Sequence, residues 1–240
     1  MTVDGDTVAL STGETVRVPL ETAATATGVF VTADRAAVAA LLPDSLRPVR
    51  VTPTRAAVAV LAVEYHRIGA DAVAPYDELA VALAATPRRS TPQALATGDV
   101  GGYVHTLPVT HAAARALGVE VWGFPKTVAR IAHHDDGRRR TTSVVDGDHL
   151  LTLAVSRPRT VPASLRTTSY AVDDGLLDRI PVEITGRVGV APLSARFDLM
   201  LGTHDRAAPL RSLDFGERAL ARVAFEGEVT YGAGQAVDRA

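Results

Sequence analysis

Apolar residues in this chain come mostly in short, continuous runs of strand length. Residues 56–63 (AAVAVLAV) and 79–85 (LAVALAA) lack the polar side of an amphipathic helix. Runs of that length between turn residues predict strands covered on both faces. Residues 28–32 and 103–109 read as further strands. Asp34 is placed to cap a helix over 35–42 that Pro43 stops, and Thr110 to cap one through Leu117, with Gly118 as its terminating glycine. From Thr127 onward the pattern turns to hairpins, with Asp135-Asp136-Gly137 and Asp146-Gly147-Asp148 as turns. Connections rich in Pro and Ser fill 156–168, and strands resume at 182–190, 195–201 and 219–231. The prediction is a β-rich α+β fold in one domain. Its curved mixed or antiparallel sheet closes into a cone or barrel, because so many strands must hide their edges, and a few helices lie at the periphery. A threonine-rich extended arm is expected over 1–24, the domain over 25–232, and a tail over 233–240.

Charge narrows the partners. A net charge of −2 offers no basic surface, so no nucleic acid is expected. Arg138-Arg139-Arg140, beside His133-His134, reads as a solvated hairpin tip. The absence of cysteine removes disulfides and thiol chemistry. No apolar run reaches the ~20 residues of a membrane helix, and the first residues lack a signal-peptide core, so a cytoplasmic protein is expected. His105 and His111 lack a metal-ligand spacing, and Gly98 to Gly102 lack the strand–turn–helix setting of a dinucleotide site. Ser194 and Ser212 lack a nucleophile elbow. No metal and no cofactor are expected.

The stretch VEVWGFPKTVARI, residues 119–131, holds Lys126, the only lysine beside 24 arginines. A guanidinium stays protonated at any useful pH, whereas an amine can lose its proton and attack a carbonyl. Trp122, Phe124 and Pro125 surround the lysine with apolar bulk, and burial of an amine disfavours its ammonium form. A lone lysine in such a wall suits an imine-forming nucleophile, although chance survival on a surface explains one lysine equally well.

Trp-Gly-Phe-Pro-Lys resembles the Schiff-base lysine motif of the acetoacetate decarboxylase superfamily. Gly102-Tyr103-Val104-His105, followed by Gly118, Glu120 and Lys126, resembles that family's strand, helix and lysine loop. Pro75-Tyr76-Asp77-Glu78 resembles its Tyr-x-Glu segment, Leu42-Pro43 its early turn, and 195–213 its late strand and Leu-Gly-x-His loop. The similarity covers about residues 25–232. It implies Lys126 as nucleophile toward a ketone or keto acid, Glu78 as the pocket carboxylate handling protons, and Tyr76, Trp122 and Phe124 as substrate-binding walls. It also implies a β-cone fold, a homo-oligomer, and a place in secondary metabolism.

The chain departs from the family pattern at defined positions. Thr127 stands where the decarboxylase has a second lysine, and 22–27 hold no arginine where it has one. Its upstream glutamate falls in the run 56–63, with Glu64 as substitute if the register shifts. Thr110-His111 replaces Asp-Asn. These changes remove groups that steer an acetoacetate carboxylate. They make the chain a divergent member and leave decarboxylation or aldol condensation with dehydration, on a small carbonyl substrate, as the expected lyase chemistry. The alternative is a non-covalent hydrophobic-ligand binder or cyclase using the same cavity; a structural subunit is a third reading. Glu78 reads almost equally well as a buried structural carboxylate, and the three aromatic residues as plain core.

Overall fold

The structure is a computed structural model in which residues 6–88, 100–173, 175–193 and 197–237 are described. Gly98, Asp99, Ser194 and Ala195 lie outside the described residues. The chain opens with the hairpin β1 (Asp6–Ala9) and β2 (Thr15–Val18), then β3 (Leu20–Asp34), α1 (Arg35–Leu41) and β4 (Leu46–Pro48). It continues through β5 (Arg55–Ile68), β6 (Tyr76–Pro87), β7 (Gly101–Val109), α2 (Ala112–Trp122) and β8 (Lys126–Val128). A group of hairpins follows: β9 (Arg130–Asp136), β10 (Arg139–Asp146) and β11 (Asp148–Ser156). The last part holds β12 (Val161–Asp173), β13 (Leu176–Pro192), β14 (Asp198–Leu201), a 3-10 turn (Asp205–Ala207), α3 (Ala208–Arg211), β15 (Ala219–Tyr231) and β16 (Gln235–Ala236).

Seven strands run β6-β5-β3-β15-β13-β12-β7, and β7 pairs back onto β6, so the sheet closes into a barrel. Neighbours are antiparallel except β12 with β7, and β8 adds parallel to β7 through the α2 crossover. The β-rich single-domain barrel expected from the sequence is therefore the fold. A second sheet, β14-β11-β10-β9, packs on the outside. Val58 and Val60 of β5 and Leu79, Val81 and Leu83 of β6 lie against Ile131, Val144, Leu151 and Leu153 of that sheet. Strands 56–63 and 79–85 read as covered on both faces because this sheet covers their outer face.

Residues directly opposite on paired strands share a face. Tyr65 opposes Tyr76, and Val63 opposes Glu78. Those positions, with Ala24, Val104, Val109, Val182 and Val229, form the inner core, which the α2 residues Ala114 and Leu117 join. The inner face is not uniformly filled. Glu78, Val182 and Val229 are buried, Ala80, Ile184 and Phe225 are half-buried, and Val190 and Leu165 are 58 % and 46 % exposed. Exposure rises along the strands away from the Glu78 level, so the barrel is a funnel with a closed floor and an open mouth.

Five local readings need correction. His111, not Thr110, caps α2, its Nδ1 accepting from the Ala114 N–H. The helix also runs past Gly118 to Trp122, and Gly123, in the left-handed conformation at φ 64, ends it. Residues from Val161 onward are strand, not connection. Pro162 is tolerated there because β12 pairs with β7 only at Ser169 and Tyr170, leaving an unpaired edge at Pro162. The hairpin-tip reading holds for Arg138 and His134. Arg139 pairs with Asp198, Arg140 is 8 % exposed and bonded to Asp135 and Glu64, and the half-buried His133 bonds the Thr142 hydroxyl. In the expected arm, Val16, Val18 and Leu20 alternate inward, which makes 6–18 a hairpin and starts β3 at Leu20.

Candidate active site

The β7–α2–β8 crossover delivers the lysine. Gly123 turns the chain sharply after α2, the Phe124 N–H donates back to the Gly118 carbonyl at 3.0 Å, and Lys126 begins β8 opposite Leu107. The Lys126 side chain then runs back along α2. A Cβ on Gly118 would stand 2.4 Å from both Cδ and Cε of Lys126. A mid-helix glycine, unfavourable by about 1 kcal/mol against alanine, is thus the slot in which the amine's stem lies.

The tip of that stem meets β6. Lys126 Nζ lies 2.9 Å from Glu78 Oε2 and donates to the Tyr76 hydroxyl at 3.0 Å, and all three residues are about 6 % exposed. Tyr76 and Glu78 reach the same amine because residues two apart on a strand point the same way. Among the described residues, Glu78 is the one charged group paired with Lys126.

Tyr65 and Tyr231 complete the floor, and sequence reasoning missed both. Their hydroxyls are 2.5 Å apart, and the Tyr65 ring stacks at a tilt on Tyr76 with centroids 4.6 Å apart. Burial, and then the Glu78 charge, hold the Tyr65, Tyr76 and Tyr231 phenols above the usual range. All three stay protonated at neutral pH; the Tyr76 oxygen accepts from Lys126, and one hydroxyl of the Tyr65–Tyr231 pair donates to the other. The signal for Tyr65 was the register of the β5–β6 hairpin, where it faces Tyr76. Tyr231 arrives from the far end of the chain, and nothing local to it points at the lysine.

The other predicted residues are placed less directly. Trp122 packs 5.6 Å from the Tyr231 ring and donates its indole N–H to the Gly232 carbonyl at 2.9 Å. Phe124 stacks on Trp122 at 5.9 Å. Both are buried wall behind the tyrosines. Glu120 sits on the outer side of α2 and accepts from the Ser11 N–H and hydroxyl, tying the β1–β2 hairpin to the helix.

Glu64 does not substitute for the upstream glutamate. It opposes Asp77 and points outward, whereas Glu78 points inward. Glu64 pairs with Arg140, which also bonds Asp135, and Asp135 in turn pairs with Arg157. The ligand atoms of Glu64, Asp77 and His133 lie within 4.8 Å of one another, the one metal-ligand grouping among the described residues, on the opposite side of β6 from Lys126. Thr127, in the second-lysine position, has a buried hydroxyl without a hydrogen-bond partner. A surface cavity of about 930 Å³ lies between β14 and 215–218 and is lined by none of the predicted site residues.

Comparison with known proteins accords with this geometry. No curated protein matches the sequence. A solved acetoacetate decarboxylase superposes with a TM-score of 0.66 at 15 % identity, over 95 % of this chain and 91 % of that one. The acetoacetate decarboxylase of Legionella pneumophila subsp. pneumophila str. Philadelphia 1 gives 0.66 at 14 %, over 92 % and 87 %. The enduracididine biosynthesis enzyme MppR complexed with pyruvate gives 0.62 at 16 %, over 91 % and 90 %. The family model for acetoacetate decarboxylase (ADC) matches residues 8–239. The chain belongs to the acetoacetate decarboxylase family.

Proposed function

We propose that this chain is a Schiff-base-forming lyase acting on a carbonyl compound, with Lys126 as nucleophile. The observation that carries the reading is the ammonium-to-carboxylate distance of 2.9 Å at the floor of an open funnel, made by the chain's only lysine. Attack on a carbonyl requires the free amine, and Glu78 is within reach of the proton that must leave. The carbonyl oxygen becomes the hydroxyl of a carbinolamine and departs as water. The net change is ammonium plus ketone giving protonated imine plus water. Glu78 takes a proton from the ammonium and returns one to the departing hydroxyl. Tyr76 accepts from the nitrogen at 3.0 Å, and in this reading its O–H donates to the oxygen as it gains charge. The protonated imine is then an electron sink for breaking an adjacent C–C or C–H bond. Membership of a family named for a decarboxylase, and the fold shared with an enzyme captured with pyruvate, support this reading.

Borohydride reduction in the presence of ketones, aldehydes and keto acids tests it. A substrate-sized mass increase on the peptide holding Lys126, lost in Lys126→Arg, is the expected outcome. A folded wild-type protein that gives no adduct there with any carbonyl sinks the reading, and a non-covalent binder takes its place. We also propose a homo-oligomer, supported by the apolar side chains of Leu193 and Met200 standing 73 % and 60 % exposed.

A further inference from the structure

The funnel above Lys126 is built almost entirely of uncharged atoms. Between the lysine level and the mouth, β3 turns Ala26, Gly28 and Phe30 inward, and β5 turns Val63, Leu61 and Ala59. On β6 the inward residues after Glu78 are Ala80, Ala82 and Ala84, and on β13 they are Ile184, Gly186, Val188 and Val190. β15 adds Gly227, Phe225 and Val223, and β12 adds Ser169, Thr167, Leu165 and Ala163. β7 supplies Gly102 and Val104. Arg55, at the mouth end of β5, shares the inward parity and is bonded to Asp214 and the Thr32 carbonyl, whereas other arginines of these strands fall on the outward parity. Arg222 donates to the Ser156 carbonyl, Arg187 to the Thr160 carbonyl, and Arg166 pairs with Glu183. His105, at the β6–β7 irregularity, is kept neutral by burial. Between the floor and the level of Phe30 and Ala59, Lys126 and Glu78 are thus the only charged side chains on the described inner wall, and they neutralise each other.

We propose that the funnel takes a neutral, apolar ketone or aldehyde and rejects keto acids. This rests on the Schiff-base reading above and narrows its substrate. A keto acid bound at Lys126 carries a carboxylate that needs a cation or several donors once removed from water. Here the tyrosine hydroxyls at the floor are engaged with Lys126 and with each other, and the wall above them offers alanine, glycine and valine, with the Glu78 charge opposing the carboxylate. An alkyl chain instead covers the half-buried Leu61, Ile184 and Phe225 and the exposed Phe30 and Leu165, gaining about 25 cal/mol for each Å² removed from water. A substrate without a carboxylate has no carbon dioxide to lose, so the protonated imine acts on a C–H bond. The proton on the adjacent carbon passes to the Glu78 carboxylate, its electron pair forms the C=C bond of a neutral enamine, and the iminium charge is discharged. The enamine then attacks a second carbonyl or takes a proton back.

The test compares a straight-chain methyl ketone with the α-keto acid of equal carbon count. Each is trapped by borohydride on wild-type protein, with the rate divided by that for Nα-acetyl-lysine to remove intrinsic electrophilicity. Deuterium uptake at the adjacent carbon in D2O is followed by NMR. The ketone is expected to exceed the keto acid by roughly a hundredfold in normalised trapping, consistent with an uncompensated charge, and to gain deuterium only when Lys126 is present. Ile184→Arg, which places a cation on the wall, should narrow that ratio at least tenfold; if it does not fold, the wild-type comparison decides alone. Equal or better trapping of the keto acid overturns the substrate assignment and leaves Lys126 as nucleophile. Absence of any adduct with either compound overturns both.

Discussion

At the scale of single residues, the site is a lysine whose path and tip are both fixed. Gly118 admits the stem, and Glu78 and Tyr76 hold the nitrogen. Gly118→Ala leaves α2 intact, since alanine is the better helix former, but its methyl occupies the place of Cδ and Cε. The amine must then move by an ångström or more, and turnover or trapping is expected to fall about a hundredfold with the melting temperature unchanged or higher. Kinetics and thermal unfolding on one sample separate these effects. The tyrosines give a pH signature. The folded chain keeps the Tyr65 and Tyr76 protons where the unfolded chain releases them, because burial and Glu78 raise those phenols. The native state therefore binds more protons above pH ~10, and stability falls as pH rises past that point. Urea titrations across that range should show the decline, with a shallower slope in Tyr65→Phe.

At the scale of elements, the outer sheet is joined to the barrel by apolar contact and by one buried cation. Arg140 of β10 reaches Glu64 of β5 and Asp135 of β9. Arg140→Ala leaves both carboxylates without that partner and should cost about 2 kcal/mol, read as a lower denaturant midpoint with imine trapping largely preserved. Most strands were legible in the sequence because Ala/Val runs and Asp-Gly turns are local signals. The end of α2 was not. Gly118 carries the usual mark of a helix terminus, and only the lysine lying across it explains a glycine there. Residues 156–168 misled because proline argues against a strand unless the unpaired edge is known. Lys126, Tyr76 and Glu78 could be found from their own motifs, whereas Tyr231 reaches the site through the β3–β15–β13 pairing, which no local pattern encodes.

At the scale of the whole molecule, closure of β7 onto β6 sets the function proposed here. It turns alternate residues of seven strands toward a common axis, placing small and apolar side chains inside and most strand arginines outside. Conversion of arginine to lysine on that outer surface would leave the charge of the protein untouched but would change its chemistry toward carbonyls. As it stands, 24 guanidiniums and one side-chain amine give the molecule an exterior with no other side chain that forms an imine with a simple aldehyde or ketone. The lysine that can condense is 6 % exposed. A catalyst of the kind proposed is in this way spared the glycation and cross-linking through lysine side chains that lysine-rich surfaces undergo, and its one vulnerable side-chain amine is the proposed nucleophile.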